Sequence, residues 1–113
     1  MKSFTDIEQS KKLAEILPIK SADMHYARIE DDDETRDWTV YLSPFPKICS
    51  LYVENLPCWS LTALLNILPS STLDSSDDHN YRLHCMERFT EWYDNPIDAC
   101  YEMILKLKEK NLL

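Results

Sequence analysis

Apolar residues return every three to four positions from Ile7 to Leu17. Ile7, Ser10, Leu13, Ala14 and Leu17 line one side, with Glu8, Lys11, Lys12 and Glu15 on the other. That period predicts an amphipathic helix over residues 3–17. Thr5 and Glu8 have the spacing of a capping box, Phe4 precedes the cap, and Pro18 ends the helix. The period then shortens to two. Met24 to Ile29 and Trp38 to Leu42 read as strands, the second with Trp38, Val40 and Leu42 alternating against Thr39 and Tyr41. Between them Glu30-Asp31-Asp32-Asp33-Glu34 sets five acids in a row, whose mutual repulsion favours a solvated hairpin tip.

Ser43-Pro44-Phe45-Pro46 reads as a turn or extended connector, and Ile48 to Val53 as a short strand or irregular edge segment. Pro57-Cys58-Trp59-Ser60 opens a second helix, 61–68, with Ser60 as N-cap and Pro69 as stop. Only Thr62 and Asn66 interrupt its apolar surface, so it is either buried on several sides or a seam between copies. Ser70 to Asn80 lacks periodicity and reads as a polar loop. Tyr81 to Met86 and Phe89 to Tyr93 form a hairpin around Glu87-Arg88, where a tight turn without glycine is strained. The last helix is the best punctuated. Asp94 or Asn95 caps it, Pro96 takes its first position, and Ile97, Cys100, Tyr101, Ile104, Leu105 and Leu107 form its buried stripe.

The pattern predicts one α+β domain over residues 1–113, with about three α-helices packed on a short antiparallel β-sheet. A chain of 113 residues with 44% apolar content can bury such a core. The net charge of −8 disfavours nucleic-acid backbones and anionic membranes, so neither is an expected partner. No apolar run follows Met1-Lys2 and none approaches the ~20 residues of a membrane span, which makes the cytoplasm the expected location.

Glycine is absent from the whole chain, and with it the phosphate-binding loops and nucleophile elbows that depend on it. Cys49, Cys58, Cys85 and Cys100 form no C-x-x-C pair and read as small buried hydrophobes rather than a disulfide or zinc set. His25, His79 and His84 are the available bases. His84 falls out of phase with Leu83 and Cys85, so it does not meet the cysteine as a nucleophile's base would. The acidic run lacks the spaced ligands and glycine turn of a calcium loop. Trp38, Trp59, Trp92 and Tyr93 invite an aromatic platform for bases or sugars, but each lies beside an expected core element, and Arg82 and Arg88 are few cations for such a surface. No catalytic, cofactor-binding or metal-ligating residues emerge, and the expectation is a protein that is not an enzyme.

Three stretches carry a resemblance: FTDIEQSKKL at 4–13 with SADM at 21–24, LPCWSLTALLNILP at 56–69, and DNPIDACYEMI at 94–104. With them the chain resembles a family of small uncharacterised proteins common in gut-bacterial genomes and their prophages, variable at 30–56 and 70–93. Its C-terminal part is also similar to phage proteins with a helix/sheet/helix sandwich. These resemblances imply an α+β fold and a mobile-element setting, and supply no activity or site residues. The expected function is therefore an interaction or accessory protein that binds another protein. The turn 30–37, the loop 70–80 and the helix 61–68 are its candidate surfaces, and a homodimer is one way to cover the last. The alternative is an acidic mimic of DNA that blocks a DNA-binding protein, with a small enzyme third.

Overall fold

In the computed structural model, which describes residues 2–29, 37–44, 46 and 53–113, the elements run α1 (Ile7–Ile16), a 3-10 turn (Ile19–Ser21), β1 (Met24–Ile29), β2 (Thr39–Tyr41), β3 (Val53–Cys58), α2 (Leu61–Ile67), β4 (Ser71–Ser75), β5 (Tyr81–Cys85), β6 (Arg88–Phe89) and α3 (Pro96–Glu109). The fold class is α+β, as the periodicity predicts. Among the described residues the strands form two three-stranded antiparallel sheets, ordered β2-β1-β3 and β4-β5-β6, where one short sheet was expected. Backbone proximity groups the chain into two compact units, Asp6–Trp59 and Ser60–Leu113, the second joined by residues 2–5.

In the first unit α1 is capped by Asp6, not Thr5. The Asp6 carboxylate accepts from the Gln9 amide at 2.8 Å, and the Gln9 side chain accepts from the Asp6 amide at 3.2 Å. Both partners of a capping box are therefore present, one residue along from the expected pair. Thr5 is fully buried instead. Helix α1 packs on β3, and its Leu13 is fully buried. The central strand β1 pairs Tyr26 with Val40 on one side and with Leu56 on the other. The acidic residues 30–34 lie outside the described residues.

Strand β3 falls partly where the start of the second helix was expected. Pro57 and Cys58 belong to the strand, opposite His25 and Met24. Proline is tolerated because β3 is an edge strand. Residues 48–52 of the expected short strand lie outside the described residues. Trp59 follows, fully buried, its indole N–H donating to Ser21 Oγ at 3.0 Å.

In the second unit Ser60 caps α2, its hydroxyl accepting from the Ala63 amide at 3.2 Å. Asn95 caps α3 by accepting from the Asp98 amide at 2.8 Å, with Pro96 in the first turn. Helix α3 packs on β5 and α2, burying Ile97, Cys100, Met103, Ile104 and Leu107. Lys2 pairs with Asp98 at 2.8 Å, and Phe4 bridges Ser60, which ties residues 2–5 to this unit.

The polar segment 70–80 is not a loop throughout. Ser71–Ser75 is strand β4, paired with β5 from Ser71 opposite Cys85 to Ser75 opposite Tyr81. Its side chains are half-buried or exposed, so a period-two apolar signal was never required of it. Only Asp77, Asp78 and His79 remain as the turn, with Ser76 and Asn80 closing it at 2.9 Å and His79 taking a left-handed φ of 61°.

Candidate interaction surface

Strand β5 divides its side chains between two faces. Leu83 and Cys85 point inward and are buried. Arg82 and His84, out of phase with them, lie on the opposite face together with Asp74 and Thr72 of β4, which stand across from them in the ladder. Phe89 of β6 stands across from His84 on the other side. The His84 and Phe89 rings are stacked, with centroids 4.2 Å apart and an interplanar angle of 5°.

Trp92 reaches the same face because of a bulge. Leu83 and Thr90 exchange two hydrogen bonds, the Thr90 amide to the Leu83 carbonyl at 3.0 Å and the Leu83 amide to Thr90 Oγ1 at 2.9 Å. Tyr81 and Tyr93 exchange two more, at 2.6 and 2.7 Å. Arg82 is therefore the one residue opposite two, Glu91 and Trp92. In an unbroken strand 89–93, Phe89, Glu91 and Tyr93 would share a face and Trp92 would turn inward. The extra residue reverses that phase, the use to which β-bulges are commonly put. The Arg82 guanidinium consequently lies 4.5 Å from the Phe89 ring centre and 4.7 Å from that of Trp92. Its Nε donates to Asp74 Oδ2 at 3.4 Å. Phe89 and Trp92 nonetheless remain 49% and 44% exposed.

The β5–β6 connection is a two-residue turn at Met86-Glu87, one position earlier than the expected Glu87-Arg88. Both residues take left-handed φ values, 51° and 66°. This is the primed geometry that matches strand twist, reached without glycine, and side chains carrying a Cβ pay for it in steric strain. Arg88 Nη1 donates to the Met86 carbonyl at 3.2 Å across the turn. Below it, a groove of about 350 Å³ is lined by Arg88, Phe89, Lys106, Glu109 and Lys110. Phe89 thus belongs both to the aromatic face and to the groove. The Lys106 amine lies 3.5 Å from the Phe89 carbonyl.

The surfaces singled out in the sequence fare differently. Of the turn 30–37 only Asp37 is described, and it is exposed. The loop 70–80 is strand over Ser71–Ser75 and turn beyond it. In helix 61–68, Ala63, Leu64 and Leu68 are buried while Leu61, Leu65 and Ile67 are half-buried. Trp38 packs under the Arg28 guanidinium at 4.4 Å, and Trp59 is core. The structure brings together Trp92, Arg82 and His84, and adds Phe89, which sequence reasoning passed over. No sequence signal marked Phe89, because its place against His84 comes from the ladder and not from its neighbours in the chain.

Cys58, Cys85 and Cys100 are buried. Burial pushes the Cys100 thiol up to about 12. It also raises Cys85, against a smaller opposite pull from Arg88. A thiol so shifted is a poor nucleophile at neutral pH. Burial likewise raises the phenol of Tyr93, with Glu102, Glu91 and Asp98 adding to the effect. Among the described residues no three His, Cys, Asp or Glu side chains group as metal ligands, and no helix is long and apolar enough to cross a membrane. Comparison with protein-family models, with curated proteins and with solved structures finds no match, so the geometry of this face stands on its own.

Proposed function

We propose that this is a non-enzymatic interaction protein that engages another protein through the outer face of β4-β5-β6. One observation carries the reading: Arg82 is fixed between Phe89 and Trp92, and the two rings stay about half exposed. Tryptophan and arginine are the side chains most enriched among binding hot spots, and rings already held in place lose little freedom on binding. The buried thiols and the distance in phase between His84 and Cys85 add nothing that favours catalysis. The setting we propose is the cytoplasm of a bacterium carrying a mobile element or prophage, which rests on the resemblance of the three sequence stretches. A second copy of the chain is the competing occupant.

The test begins with capture from host lysate, washed at low and at high salt, and identification of what stays. The identified protein is then purified and titrated against the wild type and a Phe89→Ser/Trp92→Ser variant. The expected result is binding weakened by about 30-fold or more, the ~2 kcal/mol of a hot spot. A partner that ignores the double substitution overturns the reading. If that partner is a DNA-binding protein released by salt, the acidic-mimic alternative takes its place.

A further inference from the structure

We infer that the groove between β6 and the last turns of α3 receives an extended acidic protein segment bearing an apolar side chain. The inference rests on the reading of the neighbouring sheet face as an interaction surface and names the chemistry of its partner. Three of the five groove-lining residues are cations, Arg88, Lys106 and Lys110, against one carboxylate, Glu109. They are gathered in a chain of net charge −8 with only 12 Lys and Arg. Elsewhere Lys2, Lys12, Arg28 and Arg82 each have a carboxylate within 4.0 Å, while Lys11 and Lys20 have none among the described residues but do not line a common groove with other cations. Among the described residues no such partner meets Arg88, Lys106 or Lys110. Arg88 spends a donor on the Met86 carbonyl and Lys106 approaches that of Phe89, which leaves further N–H groups of both for a ligand.

The occupant follows from charge and from shape. Unmatched cations around an open groove attract carboxylates, and the exposed Phe89 ring at its edge offers an apolar seat. About 350 Å³ lies near the lower end for ligand pockets, ~300–1,000 Å³, and holds a few side chains rather than a helix. A nucleic acid is disfavoured because tight backbone binding neutralises about six to ten phosphates along a stripe, whereas three cations stand here on an otherwise acidic chain.

The experiment is an NMR titration of the ¹⁵N-labelled protein. The probes are an acetylated, amidated Glu-Asp-Phe-Glu-Asp peptide, its lysine counterpart Lys-Lys-Phe-Lys-Lys, and a single-stranded oligonucleotide. The acidic peptide is expected to give saturable shifts at the amides of Arg88, Phe89 and Lys106. Its affinity should fall about tenfold between about 50 and 500 mM salt as the charges are screened. An Arg88→Glu/Lys106→Glu/Lys110→Glu variant, checked for fold by amide dispersion, should lose the acidic peptide and take the lysine one. Should the triple variant fail to fold, Lys110→Glu alone, at an exposed site, should weaken binding several-fold. The inference is overturned by the absence of saturable shifts, by equal response to both peptides, or by tighter binding of the oligonucleotide in the groove. If the peptide fails while Phe89→Ser/Trp92→Ser still releases the captured partner, this inference falls and the broader reading stands. If the partner ignores that double variant, both fall.

Discussion

Each sheet carries one arginine on its central strand, and the two are placed to opposite ends. Arg28 of β1 shares its face with the buried Met24 and Tyr26, so it closes the end of a core. Its Nε meets Glu54 at 2.8 Å and its guanidinium covers Trp38, which is half-buried. Arg82 of β5 lies on the face opposite the buried Leu83, with a longer 3.4 Å contact to Asp74 and two half-exposed rings around it. The same three components, a guanidinium, a carboxylate and an aromatic ring, recur with similarly exposed ion pairs, and the sheets differ in the rings, half-buried at Trp38 and exposed at Phe89 and Trp92. What separates the rings is the bulge at Glu91-Trp92, which turns Trp92 to the face that Arg82 already occupies. The exposed apolar residues of the first sheet sharpen the contrast. Tyr41 and Leu42 are 48% and 85% exposed, but the Tyr41 ring stacks on that of His25, whose Nδ1–H donates to the Ser43 carbonyl at 2.8 Å. Among the described residues no cation stands between rings there.

The largest expected effects are at fully buried positions, one in each compact unit. Leu13→Ala and Ile104→Ala each remove a fully buried side chain and should cost about 2–5 kcal/mol, read from denaturant midpoints. A loss below about 1 kcal/mol for Ile104 would contradict the packing of α3 on β5 and, with it, the inward assignment of Leu83 that makes the other face outward. Next in size is the contrast between the exposed residues. Tyr41→Ser/Leu42→Ser should leave partner binding within about twofold of wild type, against the ~30-fold loss expected for Phe89→Ser/Trp92→Ser. Equal losses would erase the distinction between the sheets.

Much of the scaffold was legible in the sequence because local signals agree there with tertiary demand. Asn95-Pro96 and Ser60 mark helix starts by unmatched backbone amides that only certain side chains satisfy, and both caps formed. Strand β1 kept the boundaries its alternation implied. Strand β4 was illegible because Leu73 is its one apolar residue and it takes its order from its ladder with β5, a non-local cause. The candidate site was half legible. Trp92, Arg82 and His84 stood out as residue types, but their meeting depends on a bulge, and a bulge without glycine leaves no compositional mark. The acidic run drew attention by composition alone, while the cations that now matter, Lys106 and Lys110, looked like ordinary complements to a helix C-terminus.

Alkaline stability offers a separate test of the packing around α3. Burial holds the Cys100 thiol near 12, whereas an unfolded chain ionises it from its ordinary value near 9.0. Above that value the unfolded state binds fewer protons than the folded one, so stability falls as pH rises. The contribution is complete below about pH 9 and is lost progressively toward about 12. Denaturation followed from pH 7.5 to about 10.5 should show this decline, flatter in Cys100→Ala. A variant with the wild-type slope would place the titrating group elsewhere.

The smallest effect bears most directly on why the second sheet is built as it is. Met86 and Glu87 hold left-handed backbone that costs side chains with a Cβ roughly 1–2 kcal/mol each. Glycine at position 87 would remove that strain at φ 66°, while its freer unfolded chain returns about 0.4–1 kcal/mol. Glu87→Gly should therefore stabilise by about 0.5–1 kcal/mol, a rise of a few degrees in Tm for a chain of this size. The turn anchors the register that sets Phe89 against His84, so the substitution should leave binding at the aromatic face unchanged. A gain in Tm with retained binding would show that the strain is merely tolerated. A gain in Tm accompanied by lost binding would show instead that the exposed Met86-Glu87 tip itself touches the partner, and would move the edge of the interaction surface from Phe89 out to the turn.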